Sequence, residues 1–143
     1  MSLLTDILIA HPSEAEAISQ DLAHHKAWPC LQLKGLDNIK LSALLSALDA
    51  EEPAQKLEGE ELLVFNPDPE GPWVFALPEQ LKDLLSRLPE ADVPAVAERW
   101  ASHEELKFEG WSGSDIQPVV SMLAEFALRA KAESKPLLLW MCL

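Results

Sequence analysis

Apolar residues recur along this chain with two periods, and the switches between them outline the elements. A period near 3.6 holds at Leu41, Leu44, Leu45 and Leu48, and again at Leu81, Leu84, Leu85 and Leu88. It returns at Val93, Val96 and Trp100, and at Ile116, Val119, Val120, Leu123, Phe126 and Ala130. Each set is the apolar stripe of a helix facing a core. Short, mostly apolar runs at 5–10, 61–65, 73–77 and 137–143 read instead as strands. The last is the most demanding, because it follows the helix-breaking Lys135-Pro136 and leaves the chain on seven consecutive apolar residues. Such a run must be covered, so it is expected as a buried strand beneath the preceding helix.

Residues between the runs set the boundaries. Ser13 with Glu16 three positions on predicts a capping box for a helix that turns Ala15, Ile18 and Leu22 inward and fades near His25. Pro29 pushes Trp28 toward extended angles, so 28–34 reads as an extended or edge-strand piece closed by Gly35. Asp37 caps the next helix. The turn formers of 66–72 allow 61–65 and 73–77 to pair as a hairpin. Pro78 opens a helix and Pro89 stops it, and Asp92 caps another. For the long final helix, with its stripe in 112–134, Ser114 (with Gln117) and Asp115 compete as cap. Pro118 favours Asp115, which leaves the proline in the first turn. The stretch 49–72 is the only one with loop-like composition. The order is strand, helix, extended piece, helix, two strands, three helices, strand. It predicts one α+β domain over 1–143, a small mixed sheet packed against several amphipathic helices, with the C-terminal strand buried.

Composition adds limits. At 143 residues, 48% hydrophobic and 24% charged, the chain is an ordinary single-domain sequence. Two cysteines, Cys30 and Cys142, make no disulfide framework, and no basic segment precedes Ile7-Leu8-Ile9 to mark a signal peptide. The longest apolar run is far below the ~20 residues of a membrane helix. A cytoplasmic protein with no membrane partner is expected. Charge is the outlier: 24 acidic against 11 basic residues give −13. A polyanion backbone is matched by basic stripes, which are absent, so nucleic acid is not expected as a ligand. From Asp49 to Glu70, eight carboxylates stand against Lys56 alone and hold −7 of that charge. This stretch is either solvated or turned toward something basic.

Chemistry-bearing residues are few. None of His11, His24, His25 and His103 is spaced i, i+4, and His24 and His25 point about 100° apart on a helix, so no metal or cofactor is expected. His103-Glu104-Glu105 places an imidazole beside carboxylates, either for acid–base work or as a solvated helix end. Cys30 lies between apolar Pro29 and Leu31 with no base in sequence reach. Ser112-Gly113-Ser114 lacks the esterase frame, and no glycine-rich phosphate loop occurs. No catalytic residue is assigned. Five tryptophans and no tyrosine are notable: Trp100 and Trp140 fall on core positions, whereas Trp28, Trp73 and Trp111 sit beside Pro or Gly as interface anchors or core plugs. The candidate binding surface is Trp28, Trp73 and Trp111 with His103, Glu104, Glu105 and the acidic Glu51, Glu52, Glu60 and Glu61.

From about residue 72 onward, Leu77-Pro78-Glu79, Val96 to Trp100, Trp111, the helix Ile116 to Ala132 and the closing Lys135-Pro136-Leu137-Leu138-Leu139-Trp140 follow in an order that resembles the YfbM-like family of bacterial proteins. Trp28 and the Leu-rich helix after Gly35 extend it weakly into the first half. The resemblance implies an α+β fold and carries no activity with it; the acidic stretch 49–70 departs from it. Three functions are then expected in turn. The first is a non-enzymatic acidic protein that binds a basic protein such as a nuclease toxin, in an immunity-like role. The second is a small-molecule site or enzyme where Trp28, Trp73 or Trp111 meets His103, Glu104 and Glu105. The third is a homo-oligomer.

Overall fold

In the computed structural model, which describes residues 3–143, the apolar C-terminal run is the middle strand of a five-stranded sheet. Strands β1 (Leu4–Ile9), β2 (Cys30–Lys34), β3 (Leu63–Phe65), β4 (Trp73–Ala76) and β5 (Leu137–Cys142) lie in the order β2-β1-β5-β4-β3. Every neighbouring pair is antiparallel, where a mixed sheet was expected. The reason is that no connection returns the chain beside its own strand in the same direction; even the long helical excursion brings β5 back between β1 and β4 reversed to both. The predicted hairpin forms as β3 and β4, and β2 is an edge strand.

Strand alternation sorts the sheet into two faces. Ile7, Ile9, Phe75, Leu137, Leu139 and Met141 point to one face and join the main core. That core takes in Leu41, Leu44 and Leu45 of α3 (Asn38–Ala47), and Ala54 and Leu57 of α4 (Glu51–Glu58). It continues through Leu81 and Leu85 of α5 (Glu79–Ser86), Trp100 of α6 (Val93–Ala101), Leu106 of α7 (Glu104–Phe108) and Val120 and Leu123 of α8 (Gly113–Ala132). The opposite face has a smaller cluster. There Leu8, Val74 and Leu138 meet Ala15 and Ile18 of α1 (Ala15–Gln20), and α2 (His24–Ala27) lies beside it.

Four local expectations are corrected. Leu22 is 99% exposed, because the chain turns extended at Asp21 and splits the first helix into α1 and α2. That segment starts in a 3-10 turn at Pro12–Glu14, where Glu14 rather than Glu16 closes the first turn by accepting from the His11 N–H at 2.9 Å. The acidic stretch is not all loop: Pro53 sits in the first turn of α4, where its missing N–H costs nothing, and Ser42 Oγ donates to the Ala54 carbonyl at 2.7 Å. Finally α8 begins earlier than expected. Ser112 Oγ accepts from the Asp115 N–H at 3.1 Å while Asp115 accepts from the Ser112 N–H at 3.2 Å, so Pro118 lies inside the helix. The bond it forfeits would end on the Ser114 carbonyl, in an exposed first turn that water can satisfy. Among the described residues, no helix is long and apolar enough to cross a membrane.

Candidate functional site

Two places on this framework gather polar chemistry. The first lies on the thinly covered sheet face. Asp6 sits in mid-β1 with its side chain away from the main core, flanked by Gln32 on β2 and Trp140 on β5. Cys30 pairs with Leu8 and shares the face. His24 comes down from α2, its Nε2 2.5 Å from Asp6 Oδ2 and its Nδ1 3.2 Å from the Asp21 carbonyl oxygen. The ligand atoms of Asp6, His24 and Cys30 all lie within 4.8 Å of one another. Asp6 is only 7% exposed and His24 6%, while Cys30 is half-buried.

The Trp140 ring meets the His24 ring edge-on at 4.6 Å between centroids, and its indole N–H has no hydrogen-bond partner among the described residues. A groove of about 670 Å³ opens beside the cluster, lined by Leu4, Asp6, His24, Gln32, Lys34 and Trp140, with Leu22 and His25 at its side. Burial, followed by the Asp6 carboxylate beside it, pushes the Cys30 thiol up to about 12. It is therefore a thiol at neutral pH, and it is no activated nucleophile.

The second place lies on the main-core side, at the sheet end near β3. A cleft of about 500 Å³ has Leu63, Trp73, Phe75 and Met141 in its lining, and Asp37, Glu58 and Glu60 stand with them. Asn38 Nδ2 donates to the carbonyls of Leu57 at 3.0 Å and Glu58 at 3.2 Å, which ties the end of α4 to the start of α3 and fixes this wall. Glu58, Glu60 and Glu61 are exposed. Of the eight carboxylates from Asp49 to Glu70, only Asp49 (with Arg99, 3.2 Å) and Glu52 (with Lys56, 3.8 Å) have a cationic partner among the described residues.

The remaining sequence candidates are scattered. Trp73 and Glu60 come together in the cleft, whereas Glu51 and Glu52 line a separate depression with Asp49, Asp83 and Arg87. Trp111 lines a third hollow with Glu98, Lys107 and Ser112, which takes in none of His103, Glu104 and Glu105. His103 is the cap of α7: its Nδ1 accepts from the Glu105 N–H at 3.2 Å, which ties up the lone pair a base would use, and Glu104 and Glu105 face water. Trp28 is an internal strut.

The Trp28 indole N–H donates to Glu14 Oε2 at 2.9 Å, and this bond, helped by the His11 backbone N–H, holds the Glu14 carboxyl below its ordinary 4.5. Trp28→Phe should cost about 0.5–1.5 kcal/mol near neutral pH. A carboxyl lowered on folding stabilises above its unfolded value and loses that contribution as pH falls through the folded one. Urea unfolding of both proteins near neutral pH and in acid should therefore show the gap between them closing in acid.

Sequence reading did not assemble Asp6, His24 and Cys30. Searching for i, i+4 histidines inspects one helix at a time, and these three residues sit on a strand, a helix and a second strand. One signal was available: a carboxylate in an otherwise apolar strand needs a partner. No known protein family, curated protein or solved structure matches the chain.

Proposed function

We propose that the protein is a non-enzymatic acidic domain that docks a basic protein, and that the cleft between the end of α4 and the β3–β4 hairpin is the docking site. The observation that carries this reading is the pairing of an apolar lining at Leu63, Trp73, Phe75 and Met141 with carboxylates at Asp37, Glu58 and Glu60. An apolar centre inside a polar rim is the usual anatomy of a protein interface. Its fit is a segment that offers an apolar anchor flanked by Lys or Arg. A surplus of unneutralised carboxylates around it speeds encounter with such a partner and penalises acidic competitors. Occupying a basic toxin in this way would be an immunity-like role, in an acidic α+β protein of the YfbM-like type acting in the cytoplasm.

The test uses the purified chain and a basic partner captured from its source lysate, then re-measured as a purified pair. Glu58→Lys with Glu60→Lys should weaken binding by at least ~10-fold, equivalent to ~1.4 kcal/mol. Glu16→Lys with Glu125→Lys makes the same change of net charge away from the cleft and should leave most of the affinity. Binding should also weaken with salt. Equal affinity in both double variants, or none lost at high salt, would remove the electrostatic premise.

A second reading, a small-molecule site, draws support from the groove over Asp6, Gln32 and Trp140 rather than from the His103 region. Fragment-sized ligands that shift the amide resonances of Gln32 and Trp140 would select it.

A further inference from the structure

We propose that Asp6, His24 and Cys30 bind one divalent ion of the zinc class, with a fourth ligand entering from the adjoining groove. The site lies on the sheet face opposite the docking cleft and stands independently of that reading. Three donors of three kinds are delivered by β1, α2 and β2 to within 4.8 Å of one another. Tetrahedral zinc with bonds of ~2.0–2.3 Å spaces its donors by roughly 3.3–3.8 Å. The Asp6–His24 contact, at 2.5 Å, has to open by about 1 Å, and any donor pair near the 4.8 Å bound has to draw in by about as much.

The orientation of His24 is already set. A carbonyl only accepts, so Nδ1 carries its hydrogen toward Asp21, and Nε2 is the atom turned to Asp6. A backbone carbonyl on the far nitrogen is the common outer-shell partner of a metal-bound imidazole. The donor set also discriminates among ions. Imidazole nitrogen and sulfur suit zinc and cobalt, whereas calcium and magnesium take oxygen cages. Charge balances as well: one carboxylate, one thiolate and a neutral imidazole around a dication sum to zero, which suits a place where Asp6 and His24 are almost wholly buried. The ion displaces the thiol proton of Cys30 and the proton shared between His24 and Asp6, and both leave to solvent. Asp6 and His24 both line the groove, so a water or ligand atom reaches the fourth position from there. Trp140 packs on His24 and offers an N–H with no partner among the described residues.

The experiment strips the full chain with a chelator and titrates it with cobalt, following absorption, and with zinc, following native mass. One ion per chain is expected, with the intense thiolate-to-cobalt band of a tetrahedral site. Cys30→Ser, His24→Gln and Asp6→Asn should each weaken binding by more than the ~10–100-fold that loss of an outer-shell partner costs. Cys142→Ser should bind like the unaltered chain. Absence of a bound ion, a cobalt complex without the thiolate band, or affinity unchanged by Cys30→Ser would overturn the proposal. The cobalt spectrum of the unaltered chain reads the sulfur directly, so a variant that fails to fold does not shield it.

Discussion

Leu139→Asp should abolish the folded state, leaving no cooperative transition in urea and a circular dichroism spectrum short of its native helix signal. Leu139 is fully buried in the central strand, opposite Ile7 on one side and Phe75 on the other, and it faces the helical layer. Removing a buried leucine costs about 2–5 kcal/mol before the new carboxylate is considered. An unpaired carboxyl in an apolar interior adds several more, whether it stays charged or takes up a proton at the expense of stability. Set against the ~5–15 kcal/mol that holds a domain of this kind together, the sum is decisive. Leu143→Asp, at a terminal residue 56% exposed, should change stability by no more than about 0.5 kcal/mol. Similar behaviour of the two variants would mean that the terminal run is not the middle of the sheet.

This contrast rests on a feature legible in the chain from the outset. An apolar run behind a helix-breaking Lys-Pro pair has its stable place inside, and Leu137–Cys142 take it as β5 while the seventh residue, Leu143, is exposed. The leucine stripe of α3, the proline-opened α5 and the β3–β4 hairpin were equally readable, because each is written in a few adjacent residues. Two short helices were not. Only Ala54 and Leu57 of α4 are buried, amid six exposed or half-buried neighbours dominated by glutamates, so its amphipathic stripe is too narrow to stand out from a loop. In α7 a single residue, Leu106, is buried.

Sites behave differently from elements. The Asp6–His24–Cys30 cluster spans 25 positions and depends on which strand neighbours which; antiparallel pairing of β2 with β1 puts Cys30 on the face of Asp6, and a shift of one residue would send it to the other. The acid-rimmed cleft likewise brings the end of α4 to the hairpin, and its α4 wall is held to the start of α3 by Asn38, through bonds to carbonyls 19 and 20 residues away. Of the tryptophans named as surface anchors, Trp73 lines that cleft and Trp28 is tied to Glu14. Proximity to proline or glycine marked both without distinguishing them, since the difference lies in what each indole reaches.

Trp100 shows the same point from the interior. Its side chain is fully buried, and its indole N–H donates to the Lys40 carbonyl on α3 at 2.8 Å, so one side chain fastens α6 to α3 by packing and by a hydrogen bond. Lys40 in turn is buried, with Nζ donating to the Gly35 carbonyl at 2.6 Å and paired with Glu109 just beyond α7. Trp100→Ala should therefore cost at least ~4 kcal/mol: truncating a buried tryptophan accounts for about 3–5, and the hydrogen bond lost to the Lys40 carbonyl, which keeps its place in the α3 ladder, adds about 0.5–1.5. At a few degrees per kcal/mol the melting temperature should fall by roughly 10–20 °C. Trp100→Phe keeps most of the ring volume and loses the bond, so it should fall in between. Circular dichroism in urea measures both without relying on tryptophan emission. Because α3 and its cap place Asn38 and Asp37 at the acid-rimmed cleft, Trp100→Ala should also weaken binding of the proposed basic partner at temperatures where the chain is still folded. A Trp100→Ala protein as stable as Trp100→Phe would mean that the α6–α3 contact is held by the surrounding aliphatic side chains and that the indole contributes little to it.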